Sequence, residues 1–164
     1  AFLTWAGWLL PFDQPITLIV EANNVATALQ QLHLIGLDRI TGYWTPAIFD
    51  AWAASGKGFE ETVRVDVPAL EQMLAKEQVA VIDVRNPQEY ATGHIAGSRN
   101  LPLSEIGAGN HDIPTDRPVV VHCEGGLRSA IATSLLAAQG GSNVRDLIGG
   151  FRAWTTGDRP VTRS

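Results

Sequence analysis

The sequence predicts an α/β fold, because short apolar strands alternate with helices along the chain. Two observations carry this prediction. A buried strand at 118–121 leads through a glycine loop into an Ala- and Leu-rich helix, and the same order of elements occurs earlier, from residue 16 onward. With 164 residues, of which 45% are hydrophobic, the chain is long enough to bury a core and could hold one domain or one and a half.

The elements of the first half follow in a clear order. A proline-containing turn at 11–15 precedes a short strand at 16–20. A helix is predicted near 25–35, because apolar residues recur there at helical spacing, and Gly36 is its expected stop. A further short strand is predicted at 38–43.

The second half repeats this order, so the chain contains an internal repeat. Residues 11–21 align with residues 114–124, and both segments read as a turn, a buried strand and the approach to a helix. The second helix is predicted near 128–139 and ends at a glycine pair. The strand that follows it is predicted at 143–148.

The second copy also has an upstream half, which the first copy lacks. A strand and the start of a helix are predicted near 65–76, and a buried strand is predicted at 79–84. A loop containing Pro87 and Gly93 follows this strand.

Two domains are therefore expected. Residues 1–60 form the C-terminal half of an incomplete domain, residues 61–164 form a complete one, and the linker lies at 56–58. A half sheet leaves strand edges unpaired. We therefore expect the chain to be a fragment of a longer protein, with residues 1–60 associating with a missing N-terminal portion or with another chain.

The only cysteine of the chain stands where the strand at 118–121 gives way to its glycine loop. It opens the run Cys123, Glu124, Gly125, Gly126, Leu127, Arg128, Ser129. Backbone N–H groups of a curled loop and the start of a helix both stabilise an anion, and Arg128 adds a permanent positive charge. The alternative is that Cys123 is a small buried hydrophobe. A cysteine that only packs in the core does not need a following loop that can bind an anion. The pattern therefore predicts that Cys123 ionises readily and acts as a nucleophile.

The first copy of the repeat lacks every part of this motif. Val20 stands where the alignment places the cysteine, and Val25 stands where it places the arginine. Ala22 and Asn23 replace the two glycines. The first copy is therefore predicted to be structural.

Five groups of residues, in order along the chain, resemble the signatures of the rhodanese family. They are Asp83-Val84-Arg85 with Glu89-Tyr90, Gly93 to Ser98, Asn100-Leu101-Pro102, Cys123 to Ser129, and Gly149 to Trp154. The resemblance covers about residues 63–161 as a whole domain and 1–55 as the second half of a degenerate, inactive one. It implies a rhodanese-like α/β domain with a mainly parallel five-stranded sheet flanked by helices.

The resemblance also implies a reaction. The Cys123 thiolate would take a sulfane sulfur from thiosulfate, a persulfide or a polysulfide, and the Cys123 persulfide would pass it to cyanide or to a thiol such as glutathione. Cys123 and Arg128 would be catalytic. The persulfide-binding loop would comprise Glu124, Gly125, Gly126, Leu127 and Ser129, whose backbone amides would act as an oxyanion hole does. No metal and no organic cofactor are implied.

Three residues outside the loop are candidates for a supporting role. Asp83 and Arg85 are interpreted as part of a structural buried ion pair, with Glu89 or the loop as possible further partners. The alternative for Arg85 is a role in binding an anionic donor. His94 is interpreted as a loop residue that holds the backbone.

The apolar segment near the start of the chain suggests a larger architecture. Residues 4–10, in front of an inactive rhodanese half, resemble the tail of a metallo-β-lactamase-fold fusion that couples persulfide oxidation to sulfur transfer. We therefore expect the chain to be the C-terminal part of such a fusion. The histidine-rich metal motif of the lactamase-like part does not occur in this sequence, so no metal site is assigned.

Charge and cysteine content restrict the expected partners. The net charge is −5 and the 12 Lys and Arg residues are scattered, which argues against nucleic acid and acidic membrane surfaces. A single cysteine gives no internal disulfide, no run is long enough to span a bilayer, and the apolar start lacks a basic leader. The expected partners are small sulfur donors and thiol acceptors, in the cytoplasm.

Two other functions stay open. The first is a non-catalytic binding or regulatory module with the rhodanese fold. The second is a cysteine-based phosphatase or arsenate reductase, whose loop, by the family resemblance, has five residues between cysteine and arginine. Here four residues lie between Cys123 and Arg128, and Glu124 adds a negative charge that disfavours a doubly charged phosphate.

Overall fold

A computed structural model describes residues 2–109 and 112–163. The chain divides into two compact units, which we call the first unit (Ala1–Glu60) and the second unit (Glu61–Ser164). No helix in these described ranges is both long and apolar enough to cross a membrane.

The second unit alternates strands and helices throughout. Its elements are β3 (Val63–Val65), α4 (Val67–Ala75), β4 (Ala80–Asp83), α5 (Pro87–Thr92), β5 (His94–Ile95), β6 (Arg99–Asn100), α6 (Leu103–Gly107), β7 (Val119–His122), α7 (Leu127–Ala138), β8 (Val144–Leu147), α8 (Gly150–Thr155) and β9 (Val161–Thr162). Five strands form one sheet in the order β3-β8-β7-β4-β6, and every pair in it is parallel. The predicted five-stranded parallel sheet is therefore confirmed.

The middle strand of this sheet is its most buried one. All four residues of β7 are buried, because helices cover both faces of a parallel sheet. One core cluster packs Val81 and Val120 of the sheet against Leu70 of α4 and Trp154 of α8. Since the strands are parallel, the residues that follow β4, β7 and β8 meet at one edge of the sheet, where ligands of open α/β folds bind.

The segment after β4 contains more regular structure than the sequence analysis expected. The loop predicted around Pro87 and Gly93 includes the six-residue helix α5 and ends in β5. Asn86 accepts a hydrogen bond from the Glu89 N–H and the Glu89 side chain accepts one from the Asn86 N–H, which is a capping box. Reciprocal capping explains a helix too short to show a clear hydrophobic period. His94, interpreted as a loop residue, lies in β5.

The first unit is a smaller assembly built on two parallel strands. Its elements are α1 (Phe2–Leu9), β1 (Ile16–Ile19), a 3-10 turn (Ala22–Asn24), α2 (Val25–His33), β2 (Ile40–Trp44) and α3 (Ala47–Ala54). Its core is a cluster of Ala6, Leu32 and Leu37, against which Ile16 and Leu18 of β1 pack.

The repeat seen in the sequence has the same local geometry in both units. β1 and β7 occupy equivalent positions of the alignment, and β2 and α3 stand where the second copy has β8 and α8. In the first unit Thr17 pairs with Gly42, and in the second unit the aligned Val120 pairs with Arg145. From Thr17 onward the two copies therefore share strand direction and register as well as the order of elements, while a register shift precedes Thr17 in the first unit.

A short antiparallel pair fastens the end of the second unit. In β5 and β9, His94 pairs with Thr162 and Ile95 pairs with Val161. The Trp154 indole N–H donates to the Pro160 carbonyl at 3.1 Å. These contacts hold the segment after α8 against the segment that carries α5.

Candidate active site

Cys123 lies directly after β7, at the edge of the sheet where ligands are expected. Cys123 is a free cysteine and is 2% exposed to solvent. The Gly126 N–H donates to the Cys123 Sγ at 3.1 Å. The Cys123 thiol lies 3.6 Å from the Ser129 Oγ, which in turn donates to the Gly126 carbonyl at 3.1 Å. The sulfur is therefore held inside the loop that follows it.

The loop places this sulfur at the start of the longest helix described. Gly126 is the N-cap of α7 and has φ 110°, a left-handed conformation that favours glycine. Helix α7 begins at Leu127, one residue earlier than predicted, because Gly126 makes the turn. Its unpaired N–H groups and its dipole favour a negative charge at this end. The positive end of α7 therefore lies at the loop that holds the sulfur.

A second turn supports the loop from behind. The N–H groups of Phe151 and Arg152 donate to the carbonyls of Cys123 and Glu124 at 2.8 and 3.0 Å. These bonds engage two loop carbonyls with the start of α8. Gly150, at φ 61°, makes the close approach possible, because a Cβ built there would lie 2.5 Å from the Cys123 carbonyl oxygen.

Replacing Gly150 by alanine is therefore expected to displace the loop. Left-handed backbone alone costs alanine about 1–2 kcal/mol, and the contact with the Cys123 carbonyl adds to that cost. Gly97→Ala is the matched control, since Gly97 has φ 76° and open space around its Cβ position. Hydrogen exchange of the Phe151 and Arg152 amides measures the difference. Equal protection in both variants would contradict a close-packed loop support.

The predicted cation of the motif is half of an ion pair. Arg128 Nη1 and Nη2 donate to the two carboxylate oxygens of Glu89 at 2.6 and 2.7 Å. The hydrogen bond from Arg128 holds the pKa of Glu89 below its ordinary value, and the same bond raises the pKa of Arg128, with a smaller contribution from Cys123. The charge beside the sulfur is therefore a Glu89–Arg128 pair rather than a lone guanidinium.

This ion pair makes the stability of the second unit depend on pH. A carboxylate with a lowered folded pKa stabilises above its unfolded pKa, and that contribution is lost as pH falls through the folded pKa. Glu89→Gln is expected to lower the free energy of unfolding by up to about 1 kcal/mol at about pH 7, because the pair is partly exposed. The difference should shrink as pH falls below the ordinary pKa of glutamate, and it should vanish once Glu89 is protonated in the folded state. Urea unfolding followed at resolved NMR signals of β7 tests this, and a pH-independent difference would contradict it.

Behind the loop lies a buried ion pair with additional partners. Arg85 Nη2 donates to Asp83 Oδ2 at 2.7 Å, and both side chains are almost completely buried. The same guanidinium donates to the Gly93 carbonyl at 2.7 Å, reaches Glu124 Oε2 at 3.3 Å and lies 4.0 Å from the centre of the Phe151 ring. Arg85 thereby ties the end of β4 to Glu124, the residue after Cys123.

His122, the residue before Cys123, belongs to this buried layer. Its Nε2 lies 3.7 Å from Asp83 Oδ2 and its Nδ1 lies 3.3 Å from the Cys123 carbonyl. Burial lowers the pKa of His122, although the Asp83 carboxylate opposes this effect. His122 is therefore uncharged at neutral pH and lies between Asp83 and the backbone of Cys123.

The remaining predicted residues lie either at the exposed side of the loop after Cys123 or in the elements that support this loop. Leu127 is exposed at the first position of α7, and Glu124 is half-exposed with Arg85 and Arg152 as its partners. His94 stacks on Tyr90 with ring centres 3.7 Å apart and its Nδ1 lies 3.0 Å from the Tyr90 carbonyl. His94 therefore supports α5, and its contacts are with Tyr90 rather than with the Cys123 sulfur.

Sequence reasoning did not assign Glu89 as the partner of Arg128. The signal that could have found it is the capping box, since Asn86 followed by glutamate three residues later is a recognised helix start. Once α5 is placed, the same carboxylate faces the loop. In residues 2–109 and 112–163 no group of three or more His, Cys, Asp or Glu side chains could hold a metal.

Comparison with known proteins places the second unit in a family. The rhodanese-like domain profile matches residues 66–156, more than half of the chain. A sulfurtransferase of Allochromatium vinosum is 39% identical over 98 residues, which cover 59% of this chain and 92% of that protein. The thiosulfate sulfurtransferase GlpE of Ectopseudomonas mendocina is 41% identical over 91 residues, covering 53% of this chain and 80% of that protein. The match to the uncharacterized protein YqhL of Bacillus subtilis, 42% identical, covers 45% of this chain and 59% of YqhL.

Solved structures agree with this result. The crystal structure of a rhodanese-related protein from Thermoplasma volcanium superposes with a TM-score of 0.57 and 32% identity, covering 62% of this chain and 99% of that chain. The human single-domain sulfurtransferase TSTD1 superposes with a TM-score of 0.54 and 27% identity, covering 59% of this chain and 98% of that chain. The parallel sheet, the glycine loop after Cys123 and the family profile coincide in the second unit, and the chain belongs to the rhodanese family.

Proposed function

We propose that the chain is a sulfurtransferase that carries a sulfane sulfur on Cys123. One observation carries the proposal: the Cys123 sulfur lies at the start of α7 with the Gly126 N–H 3.1 Å away. That setting stabilises a thiolate and, after transfer, the terminal sulfur of a persulfide. The names of the Allochromatium and Ectopseudomonas relatives support the same reaction class.

The reaction needs no electron source beyond its substrates. In the first step the Cys123 thiolate attacks the outer sulfur of thiosulfate, a new S–S bond forms, and the sulfur–sulfur bond of thiosulfate breaks to release sulfite. In the second step an acceptor thiol attacks the outer sulfur of the Cys123 persulfide. The S–S bond of the Cys123 persulfide breaks, and the acceptor leaves as a persulfide whose outer sulfur carries the proton of the original thiol. The Cys123 thiolate is regenerated.

An arginine at the mouth of the loop suits an anionic donor. Arg152 is 75% exposed, lies close to Gly125 and approaches Glu124 Oε1 at 3.9 Å. Its guanidinium can attract thiosulfate by charge and geometry. Arg85, by contrast, is enclosed by Asp83, Gly93 and Glu124, so we assign it to holding the loop rather than to binding the donor.

Mass spectrometry tests the proposal directly. Protein incubated with thiosulfate is expected to gain one sulfur atom on the peptide that contains Cys123, and a thiol added afterwards should remove it. Turnover of thiosulfate with cyanide, compared with hydrolysis of a phosphate ester, separates the sulfurtransferase from the phosphatase alternative. An unmodified Cys123 after incubation with thiosulfate and with glutathione persulfide would favour the non-catalytic binding module instead.

We also propose that the first unit is a degenerate copy of the second half of this domain. The shared order of elements and the shared register of β1 with β2 and of β7 with β8 support the proposal. Val20 stands at the position of the nucleophile, so this copy has no thiol chemistry. The association of the first unit with a further segment or chain, and a preceding metallo-β-lactamase-fold domain, stay predictions from the sequence.

A further inference from the structure

A cavity of about 300 Å³ opens beside the reactive loop, within the second unit. Its walls include Arg64 of β3, Asp146 of β8 and both glycines of the loop, Gly125 and Gly126. This volume is at the lower end of the range for sites that bind small molecules. The cavity therefore suits a metabolite rather than a macromolecule.

One wall of the cavity carries a buried carboxylate whose hydrogen bonding is incomplete. Asp146 is 6% exposed, and within the described ranges its Oδ1 has no hydrogen-bond partner at normal distance and geometry, because the nearby Ser129 hydroxyl donates to the Gly126 carbonyl. Burial raises the pKa of Asp146, while the Ser129 hydroxyl and the Arg64 charge oppose this. A buried acceptor without a donor costs free energy, and a charged one costs more. A ligand that brings a cationic donor against the Asp146 carboxylate would reduce that cost.

The opposite charge is available at the rim. Arg64 Nε lies 3.9 Å from Asp146 Oδ2, beyond hydrogen-bond distance, and its side chain is 63% exposed. A guanidinium offers five N–H donors and binds a carboxylate in a bidentate way. The two side chains thus present an acceptor for an ammonium group next to a donor set for a carboxylate.

From these facts we infer that the cavity is a subsite for the acceptor thiol, and that it binds an α-amino-acid head group. Asp146 takes the ammonium, Arg64 takes the carboxylate, and the thiol reaches the persulfide past Gly125 and Gly126. The Gly126 N–H that lines the route is bonded to the Cys123 Sγ. The inference rests on the proposed sulfur transfer and adds to it the chemical class of the acceptor: a small thiol such as cysteine or glutathione with a free amino-acid end.

A series of four thiols tests the subsite in the intact chain. Cysteine carries both charges, cysteamine lacks the carboxylate, 3-mercaptopropionate lacks the ammonium, and 2-mercaptoethanol lacks both. Thiosulfate is the donor, and kcat/KM is calculated for the thiolate form of each acceptor. The value for cysteine should exceed that for 2-mercaptoethanol by about 10- to 100-fold, which is the effect of a charged hydrogen bond. Equal values for all four thiols would overturn the inference.

Two variants assign the charges to their residues. Asp146→Asn should remove the preference for cysteine over 3-mercaptopropionate, and Arg64→Gln should remove the preference for cysteine over cysteamine. Asp116→Asn is the matched control, because this carboxylate is exposed on the turn that precedes β7, and the ratios should stay as in the wild type. Ratios between acceptors cancel any general loss of activity. Variants of Asp146 and Arg64 that keep the wild-type ratios would overturn the assignment.

A binding measurement separates this inference from the proposed function. S-methylcysteine has the head group but no free thiol, and it should shift the NMR signals of the Gly125, Gly126 and Gly149 amides in the wild type and not in Asp146→Asn. Binding without any sulfur transfer would leave the subsite standing and refute the proposed reaction. Sulfur transfer without these shifts would refute the subsite alone.

Discussion

Cys123→Ser is expected to reduce thiosulfate-dependent sulfur transfer by at least about 10³-fold, to the background rate, because the covalent carrier of the sulfur is lost. The fold should be kept. Serine is close to cysteine in size, and the Gly126 N–H that now faces the sulfur can donate to a hydroxyl oxygen. Steady-state turnover and the mass of the Cys123 peptide after thiosulfate treatment measure the loss.

The internal repeat supplies a control for this experiment. Val20→Cys, introduced together with Cys123→Ser, restores a single thiol at the aligned position of the first unit, where the glycines and the arginine are absent. We expect no recovery of transfer, because a thiol alone lacks the stabilising loop. Full activity of Cys123→Ser, or rescue by the thiol at position 20, would show that the loop around Cys123 is not the site of transfer.

Arg85→Met is expected to have the largest effect on stability. It leaves the Asp83 carboxylate buried without its counter-charge, and breaking a buried ion pair from one side costs about 3–5 kcal/mol. The Gly93 carbonyl and Glu124 lose a donor at the same time. Removing both charges, with Asp83→Asn and Arg85→Met together, should cost less than Arg85→Met alone, because no uncompensated charge is left in the core.

The measurement has to report on the second unit by itself. Four of the five tryptophans, all except Trp154, lie in the first unit, so fluorescence would follow mainly the wrong part of the chain. Hydrogen exchange of the β4 and β7 amides isolates the buried sheet. Arg117→Met is the control, since Arg117 pairs with Asp116 on the surface and should change stability by less than about 1 kcal/mol. Equal losses in Arg85→Met and Arg117→Met would contradict the central role of the buried pair.

Much of the fold and of the loop could be predicted because the signals are local. The strand, glycine turn and helix around Cys123 stand next to each other in sequence, and Gly126 needs its left-handed conformation wherever this turn occurs. The repeat predicted the element order of the first unit, because apolar residues at aligned positions are expected to be buried in the same kinds of strand and helix. The strand, turn and helix inferences use residues within about one helix length of each other, and the repeat compares two such local patterns.

What the sequence did not reveal depends on contacts between distant residues. Glu89 meets Arg128 across 39 positions, and no spacing rule connects them. Helix α5 is only six residues long and is held by its capping box, so its hydrophobic period is too short to detect. The unsatisfied oxygen of Asp146 is visible only when the neighbours that fail to reach it are in place.

The antiparallel pair of β5 and β9 gives the second unit a mechanical property. Gly93, just before β5, packs so closely on Val161 that a Cβ there would lie 2.9 Å from the valine methyl, and its carbonyl holds Arg85. A series of contacts thus runs from β9 through Gly93 and Arg85 to Glu124, the residue after Cys123. A two-residue strand peels away more readily than the central sheet opens. A load applied to β9 would therefore first remove the Val161 packing on Gly93, whose carbonyl accepts from Arg85, while the central sheet is still closed.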